Sequence, residues 1–135
     1  APLCRAFWGI DFSPESIRRA AENLAGKSNV HLLCGDFMTA SFDCLFDVVY
    51  SSLTFLHIED KLVAIRKAAE LLKPQGRFVL SIDKNPSDTL VCGERKITLY
   101  PDNPDETAGY IRAARLRLEE CRETEAAYLF LAVKM

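Results

Sequence analysis

The sequence predicts an α/β fold: a doubly wound, mostly parallel sheet that ends in an antiparallel C-terminal hairpin. Three observations carry that expectation. From Phe7 to Ile82, short strand-type runs alternate with single helix-type segments, the pattern of strands connected through helices. The last two strand-type runs, Leu116–Arg122 and Ala127–Val133, are separated only by Glu123-Thr124-Glu125-Ala126. A parallel crossover needs about a dozen residues or more, so these two runs form an antiparallel pair. Finally, 135 residues with 49% hydrophobic and 27% charged side chains suit one domain, 1–135, with a filled core.

The elements follow in order. Phe7-Trp8-Gly9-Ile10 is a strand-type run closed by Asp11. Ser13 then Pro14 is a helix start, a hydroxyl N-cap followed by proline at the first helical position. Ile17, Ala20, Ala21 and Leu24 make one apolar stripe, and Gly26 supplies the stop. Val30–Cys34 is the second strand, ending at Gly35-Asp36, and Phe46–Ser51 the third. Asp60 caps a helix with Leu62, Ile65, Ala69 and Leu72 on its apolar face, terminated by Lys73-Pro74-Gln75-Gly76. Arg77–Ile82 is the fourth strand.

From Asp83 to Pro104, Pro, Asp, Asn and Gly interrupt a short Ile97–Tyr100 stretch, and residues 84–103 form an insert. Asn103-Pro104-Asp105-Glu106 then offers an N-cap with Glu at the third helical position, and the helix runs through Tyr110, Ile111 and Ala114. In the closing hairpin, Ala127–Val133 is nearly all apolar and belongs inside the sheet, whereas the charged Leu116–Arg122 run belongs at its edge.

Composition narrows function. Seventeen Lys+Arg against nineteen Asp+Glu give a net charge of −2, so no basic field points to nucleic acid. No apolar run approaches the roughly 20 residues of a membrane span, and Ala1–Ala6 lacks the pattern of a signal peptide. The five cysteines (Cys4, Cys34, Cys44, Cys92, Cys121) are scattered with no CxxC pair, so no metal site is expected. Free thiols and a cytoplasmic setting are the expectation.

In an open parallel sheet, ligands bind at the carboxyl ends of the strands, so Asp11, Asp36, the Ser51–Thr54 turn and Asp83 are the positions to read. A carboxylate at Asp11 can accept hydrogen bonds from both hydroxyls of a ribose; it can equally be a solvated acid at a helix N-terminus. Asp36 can accept from an adenine amino group, with Phe37 offering a backbone N–H and a ring; Gly35-Asp36 is also ordinary turn chemistry. Two acids at the ends of consecutive strands point more strongly to a nucleoside than either alone. His31 reads as a half-exposed structural histidine, and Trp8 as core or sheet-face packing.

The strings FWGIDFSPESIRRAAENL, VHLLCGDF and FDVVYSSLTFLHIEDKLVAIRKAAELLKPQGRFVLSIDK resemble the class I S-adenosylmethionine-dependent methyltransferases, of the small-molecule type. The resemblance covers Phe7 to about Lys134 and implies a Rossmann-like fold with S-adenosyl-L-methionine as cofactor. It implies that Asp11 binds the ribose hydroxyls, that Ile10 and Phe12 flank the adenosine, and that Asp36 and Phe37 meet the adenine. Ser51 then lies near the methionine part, Leu53, Thr54 and His57 line the way to the acceptor, and His57 is the candidate general base. Arg95 and Tyr100, in the insert, are candidate contacts for an anionic or aromatic acceptor. The implied partner is a small-molecule methyl acceptor, with no nucleic acid and no membrane; a homodimer stays open.

One departure stands out. The family holds the methionine end of the cofactor in a glycine-rich loop upstream of the ribose acid, yet Gly9, Gly26, Gly35, Gly76, Gly93 and Gly109 include no G-x-G pair. The expectation is therefore a fragment that begins after the family's first strand, with a gap or rearrangement in the sheet and cofactor binding by the 135-residue chain that is weak or absent. Two alternatives accompany it. One is a nicotinamide-dependent, NAD(P)-type Rossmann oxidoreductase fragment, against which the closing hairpin argues. The other is a non-catalytic truncated domain that binds a partner.

Overall fold

A computed structural model describes residues 6–11, 14–26, 29–42, 44–52, 55, 58–84 and 87–135. The chain divides into two compact units, Ala1–Ser41 and Phe42–Met135.

In the first unit, strand β1 (Phe7–Asp11) pairs in parallel with β2 (Val30–Cys34), Phe7 opposite Val30 and Asp11 opposite Cys34. Helix α1 (Pro14–Asn23) connects them. Its expected N-cap, Ser13, lies outside the described residues. Ile17, Ala20 and Leu24 are half-buried, and Gly26 adopts φ +85°, the left-handed conformation that ends a helix most cheaply with glycine. Space at Gly9 is tight: a Cβ there would sit 3.0 Å from Leu32 Cδ2 and 3.2 Å from Phe7 Cε1, side-chain atoms that would have to give way. Glu15, Arg18, Arg19 and Glu22 form exposed ion pairs along α1, which contribute little in water.

The second unit contains a four-stranded sheet of β3 (Phe46–Ser52), β4 (Leu72–Asp83), β8 (Ala127–Lys134) and β7 (Leu116–Glu123), in that order. β3 and β4 are parallel; β4–β8 and β8–β7 are antiparallel. The apolar final strand is thus enclosed between two others and the charged one lies at the edge, as its composition predicted. Exposed Arg117–Glu119 and Arg122–Glu120 pairs decorate that edge and discourage further strand addition.

Among the described residues, two α-helices pack in this unit. In α2 (Lys61–Leu71), Asp60 caps the start by accepting from the Val63 amide at 3.3 Å, and Ala64, Ile65, Ala68 and Ala69 are buried. In α3 (Pro104–Ala113), the Asn103 side chain accepts from the Asp105 and Glu106 amides at 2.9 and 3.1 Å, while Thr107 and Ile111 are buried. The sheet alternates accordingly. Phe78, Leu80 and Ile82 of β4, with Phe130 and Ala132 of β8, are at most 2% exposed. Each such large apolar side chain contributes roughly 1.5–3 kcal/mol. The opposite face leaves Val48 and Tyr50 of β3 exposed.

Between α2 and the fourth strand the structure refines the expectation. Lys73–Gly76 was expected to end the helix, but α2 stops at Leu71, and Leu72 already pairs with Phe46. The ladder resumes at Val48–Arg77, so the intervening residues bow out of register. Gln75 has φ 67° there, and a Cβ on Gly76 would lie 2.7 Å from the Lys73 carbonyl oxygen. The 84–103 insert contains a hairpin, β5 (Thr89–Cys92) against β6 (Arg95–Thr98), turned at Gly93 with φ +66°.

Candidate active site

The first unit assembles two acids at one end of one sheet. Asp11 closes β1 opposite Cys34, and its carbonyl accepts the Gly35 amide at 2.9 Å, which carries the pairing one residue past β2. The chain then turns on Asp36, whose carbonyl accepts from the Thr39 and Ala40 amides at 3.1 and 2.9 Å. Asp36 Oδ1 accepts from the Met38 amide at 2.9 Å, an Asx turn that fixes the carboxylate. Ordinary turn chemistry is therefore present at Asp36 and also orients it. Parallel-strand spacing and rise put the backbones of Asp11 and Asp36 roughly 8 Å apart. Both residues are exposed, Phe37 is half-buried, and Ile10 is half-buried opposite Leu33. Phe12 lies outside the described residues.

Trp8 and His31 stand opposite each other in the β1–β2 register and stack, with ring centroids 4.4 Å apart and an interplanar angle of 21°. His31 is exposed, more so than the half-exposed position expected for it, and Trp8 is half-buried on the sheet face. Their pairing needed only the register to be found.

At the carboxyl end of β3 and β4 in the second unit, Ser51 is half-buried opposite Leu80, and Ser81 Oγ donates to Ser52 Oγ at 3.3 Å. Leu53, Thr54 and His57 lie outside the described residues. Arg95 opens β6 opposite Cys92; its side chain is likewise outside the description. Tyr100 is half-buried and follows Leu99, which is 2% exposed and donates its amide to Asp88 O at 2.8 Å.

The sequence did not single out Lys61 and Asp102. Lys61 Nζ donates to the carbonyl of Phe55 and lies 2.9 Å from Asp102 Oδ1; their side chains are 10% and 1% exposed. Both Asp102 carboxylate oxygens are buried without a hydrogen-bond donor in good geometry, so the Lys61 contact is an ion pair. Burial pushes the Asp102 carboxyl up, Lys61 pulls it back without cancelling that rise, and the Asp83 charge adds to it. One signal was readable: a lysine in the first turn of a helix opposes the helix dipole and is disfavoured there unless it has a partner.

A groove of about 510 Å³, lined by Arg66, Glu70, Arg115 and Lys134 among others, lies beside the start of β4 and the end of β8. That is the opposite end from Ser51 and Asp83, so strand-end chemistry does not involve it. Among the described residues, no helix is long and apolar enough to cross a membrane, and no three His, Cys, Asp or Glu side chains could together hold a metal ion. Cys34, Cys44 and Cys121 are exposed and are not joined in disulfides.

The family model described as "Methyltransferase domain" matches residues 1–80, a span that includes Asp11, Asp36 and Ser51. The chain belongs to this family. Among curated relatives of the methyltransferase domain, a phosphoethanolamine N-methyltransferase of Triticum aestivum is 39% identical over 75 residues, 54% of this chain and 15% of that protein. A demethylmenaquinone methyltransferase of Staphylococcus aureus is 35% identical over 93 residues, 68% of this chain and 38% of that protein. The chain thus spans well under half the length of either relative. Among solved structures, an S-adenosylmethionine dependent methyltransferase from Mesorhizobium loti superposes with TM-score 0.81 at 16% identity, covering 97% of this chain and 81% of that one. The N-methyltransferase NodS from Bradyrhizobium japonicum, in complex with S-adenosyl-L-homocysteine, gives 0.74 at 19%, covering 99% and 69%. The α/β methyltransferase fold is therefore established, with the antiparallel β7–β8 hairpin that a nicotinamide-dependent fold would lack.

Proposed function

We propose that this chain is the adenosine-binding core of an S-adenosyl-L-methionine-dependent methyltransferase that acts on a small-molecule acceptor in the cytoplasm. The observation that carries the reading is the placement of Asp11 and Asp36 at the carboxyl ends of adjacent parallel strands. In this reading Asp11 accepts from the two ribose hydroxyls. Asp36, held by the Met38 amide through Oδ1, turns Oδ2 to the adenine amino group. Ile10, Phe12 and Phe37 flank the purine. Ser51 lies toward the methionine portion, and Leu53, Thr54, Arg95 and Tyr100 face the acceptor.

Bound S-adenosyl-L-methionine supplies an activated methyl group on sulfur. The residues of the chain then have three tasks: to hold the adenosine, to align the acceptor in line with the methyl group, and to keep water out. His57 takes the acceptor proton when the acceptor carries one that must leave. The small-molecule class is supported by the relatives' names, which refer to phosphoethanolamine and demethylmenaquinone.

The test is a nuclear magnetic resonance titration of the 135-residue chain with S-adenosyl-L-homocysteine up to millimolar concentration. Without a G-x-G loop in this sequence the affinity should be weaker than micromolar, but the amides of Ile10, Asp11, Asp36 and Phe37 should shift along one saturable curve. If these amides stay in place while the ligand is at millimolar concentration, the reading fails.

A further inference from the structure

The buried pair Lys61–Asp102 is not among the residues assigned to the adenosine, and hydrophobic packing would fill its place with less desolvation. Taking two charges out of water is costly, and replacing a buried ion pair with apolar side chains is often neutral or stabilising. Here the cost is visible in the buried, unpartnered Asp102 Oδ2 and in the upward push on the carboxyl. What the pair does is connect. Lys61 Nζ reaches the carbonyl of Phe55, in the stretch that follows β3, and also Asp102, in the stretch that leads into α3. Phe55 is next to Thr54 and two residues before His57; Asp102 is two residues after Tyr100. The anchored ends are firm. The Phe55 ring is 4% exposed and its carbonyl also accepts the Ile58 amide at 3.0 Å. Leu99, 2% exposed, closes the base of the β5–β6 hairpin through Asp88.

We propose that Lys61 and Asp102 form a latch that fixes the stretch after β3 against the stretch after the β5–β6 hairpin, so that both act as positioning residues for the methyl-acceptor side. The word acceptor rests on the function proposed above; the latch itself does not. Phe55 and Asp102 both lie outside the strands, so ladder pairing does not set their spacing. A single ammonium that donates to the Phe55 carbonyl and pairs with a buried carboxylate can, since little water reaches either contact.

The experiment separates positioning from stability. Amide hydrogen exchange is measured on the 135-residue chain and on the Lys61→Met/Asp102→Leu double variant, without any ligand. The expected result is exchange at Ile58 and Leu99 at least tenfold faster in the variant. Leu80 and Phe130, in the β4 and β8 ladders, should be unchanged, and the thermal midpoint should be equal or higher. Unchanged exchange at Ile58 and Leu99 overturns the latch. So does acceleration of all four amides with a lowered midpoint, which would make the pair a stabiliser only. Should the double variant not fold, Asp102→Asn, which keeps the shape, must produce the same selective acceleration, and its failure to do so also overturns the proposal. Lys61→Arg, which keeps the charge and the donors, should restore slow exchange at both amides. A failed titration with S-adenosyl-L-homocysteine would remove the methyltransferase reading and leave every one of these outcomes intact.

Discussion

The carbonyl oxygen of Asp11 accepts a hydrogen bond from the amide of Gly35 at 2.9 Å, one step beyond the last paired residues of two parallel strands. This bond fixes where β2 ends relative to β1, so it fixes where Asp36 begins its turn relative to the Asp11 carboxylate. Two acids 25 residues apart in sequence therefore share one end of one sheet as a consequence of register.

Asp11→Asn and Asp36→Asn should each weaken binding of S-adenosyl-L-homocysteine about 10- to 100-fold. A hydrogen bond to a charged group is worth about 1.5–3 kcal/mol, and about 1.4 kcal/mol is tenfold in affinity. Both residues are exposed, so thermal midpoints should change little. Equal affinity of wild type and variants in the titration would count against the assigned roles.

Gly76→Ala should destabilise the chain although no unusual backbone angle is involved. The new Cβ would meet two carbonyl oxygens, Lys73 O at 2.7 Å and Asp47 O at 3.2 Å, and backbone atoms cannot swing away as a side chain would. The bowed segment between Leu72 and Arg77 must shift, at a cost of about 1–3 kcal/mol. Urea unfolding monitored by circular dichroism measures this, and a variant as stable as wild type would contradict the contact.

Much of the fold was legible because local chemistry and global placement agree. Ala127–Val133 is apolar on both faces and lies between β4 and β7; Leu116–Arg122 carries its charges at the edge. Asn103 reads as a cap and its side chain accepts two amides of the first turn. What was not legible depends on partners distant in sequence. That Leu72 already pairs with Phe46 cannot be seen from a Lys-Pro-Gln-Gly string, because a pairing partner leaves no local trace. Trp8 against His31 requires the register, and Lys61 against Asp102 bridges 41 positions, from the first residue of α2 to the residues just before α3. The candidate site divides in the same way: Asp11 and Asp36 follow from strand ends, whereas the Lys61–Asp102 contact needs the folded chain.

Asn103→Ala should cost about 1 kcal/mol, the usual loss when a side-chain cap is removed. Asn103 Oδ1 satisfies the Asp105 and Glu106 amides, which have no acceptor inside the helix. Asn103→Gly should cost only a few tenths of that. The order wild type, glycine, alanine in unfolding free energy is the expected result, and a reversed order of the two variants would place the cap's contribution elsewhere.

Asp102 should give the chain an acid-favoured increment of stability. Its folded-state carboxyl is raised above the ordinary 3.8 chiefly by burial, with Lys61 opposing and Asp83 adding to the rise. The native state therefore holds this proton more tightly than the unfolded chain does. Between 3.8 and the raised value the native state binds more protons, so the increment is complete below 3.8 and is lost as pH rises through the raised value. Asp102→Asn cannot titrate and lacks this dependence. The unfolding free energy of wild type minus that of the variant should thus increase as pH is lowered from 7 toward 4, with the titrations common to both proteins cancelling in the difference. Urea unfolding of both proteins at a series of pH values measures it. A difference that stays flat, or that shrinks toward acid, would mean that Lys61 outweighs burial and holds the carboxylate charged.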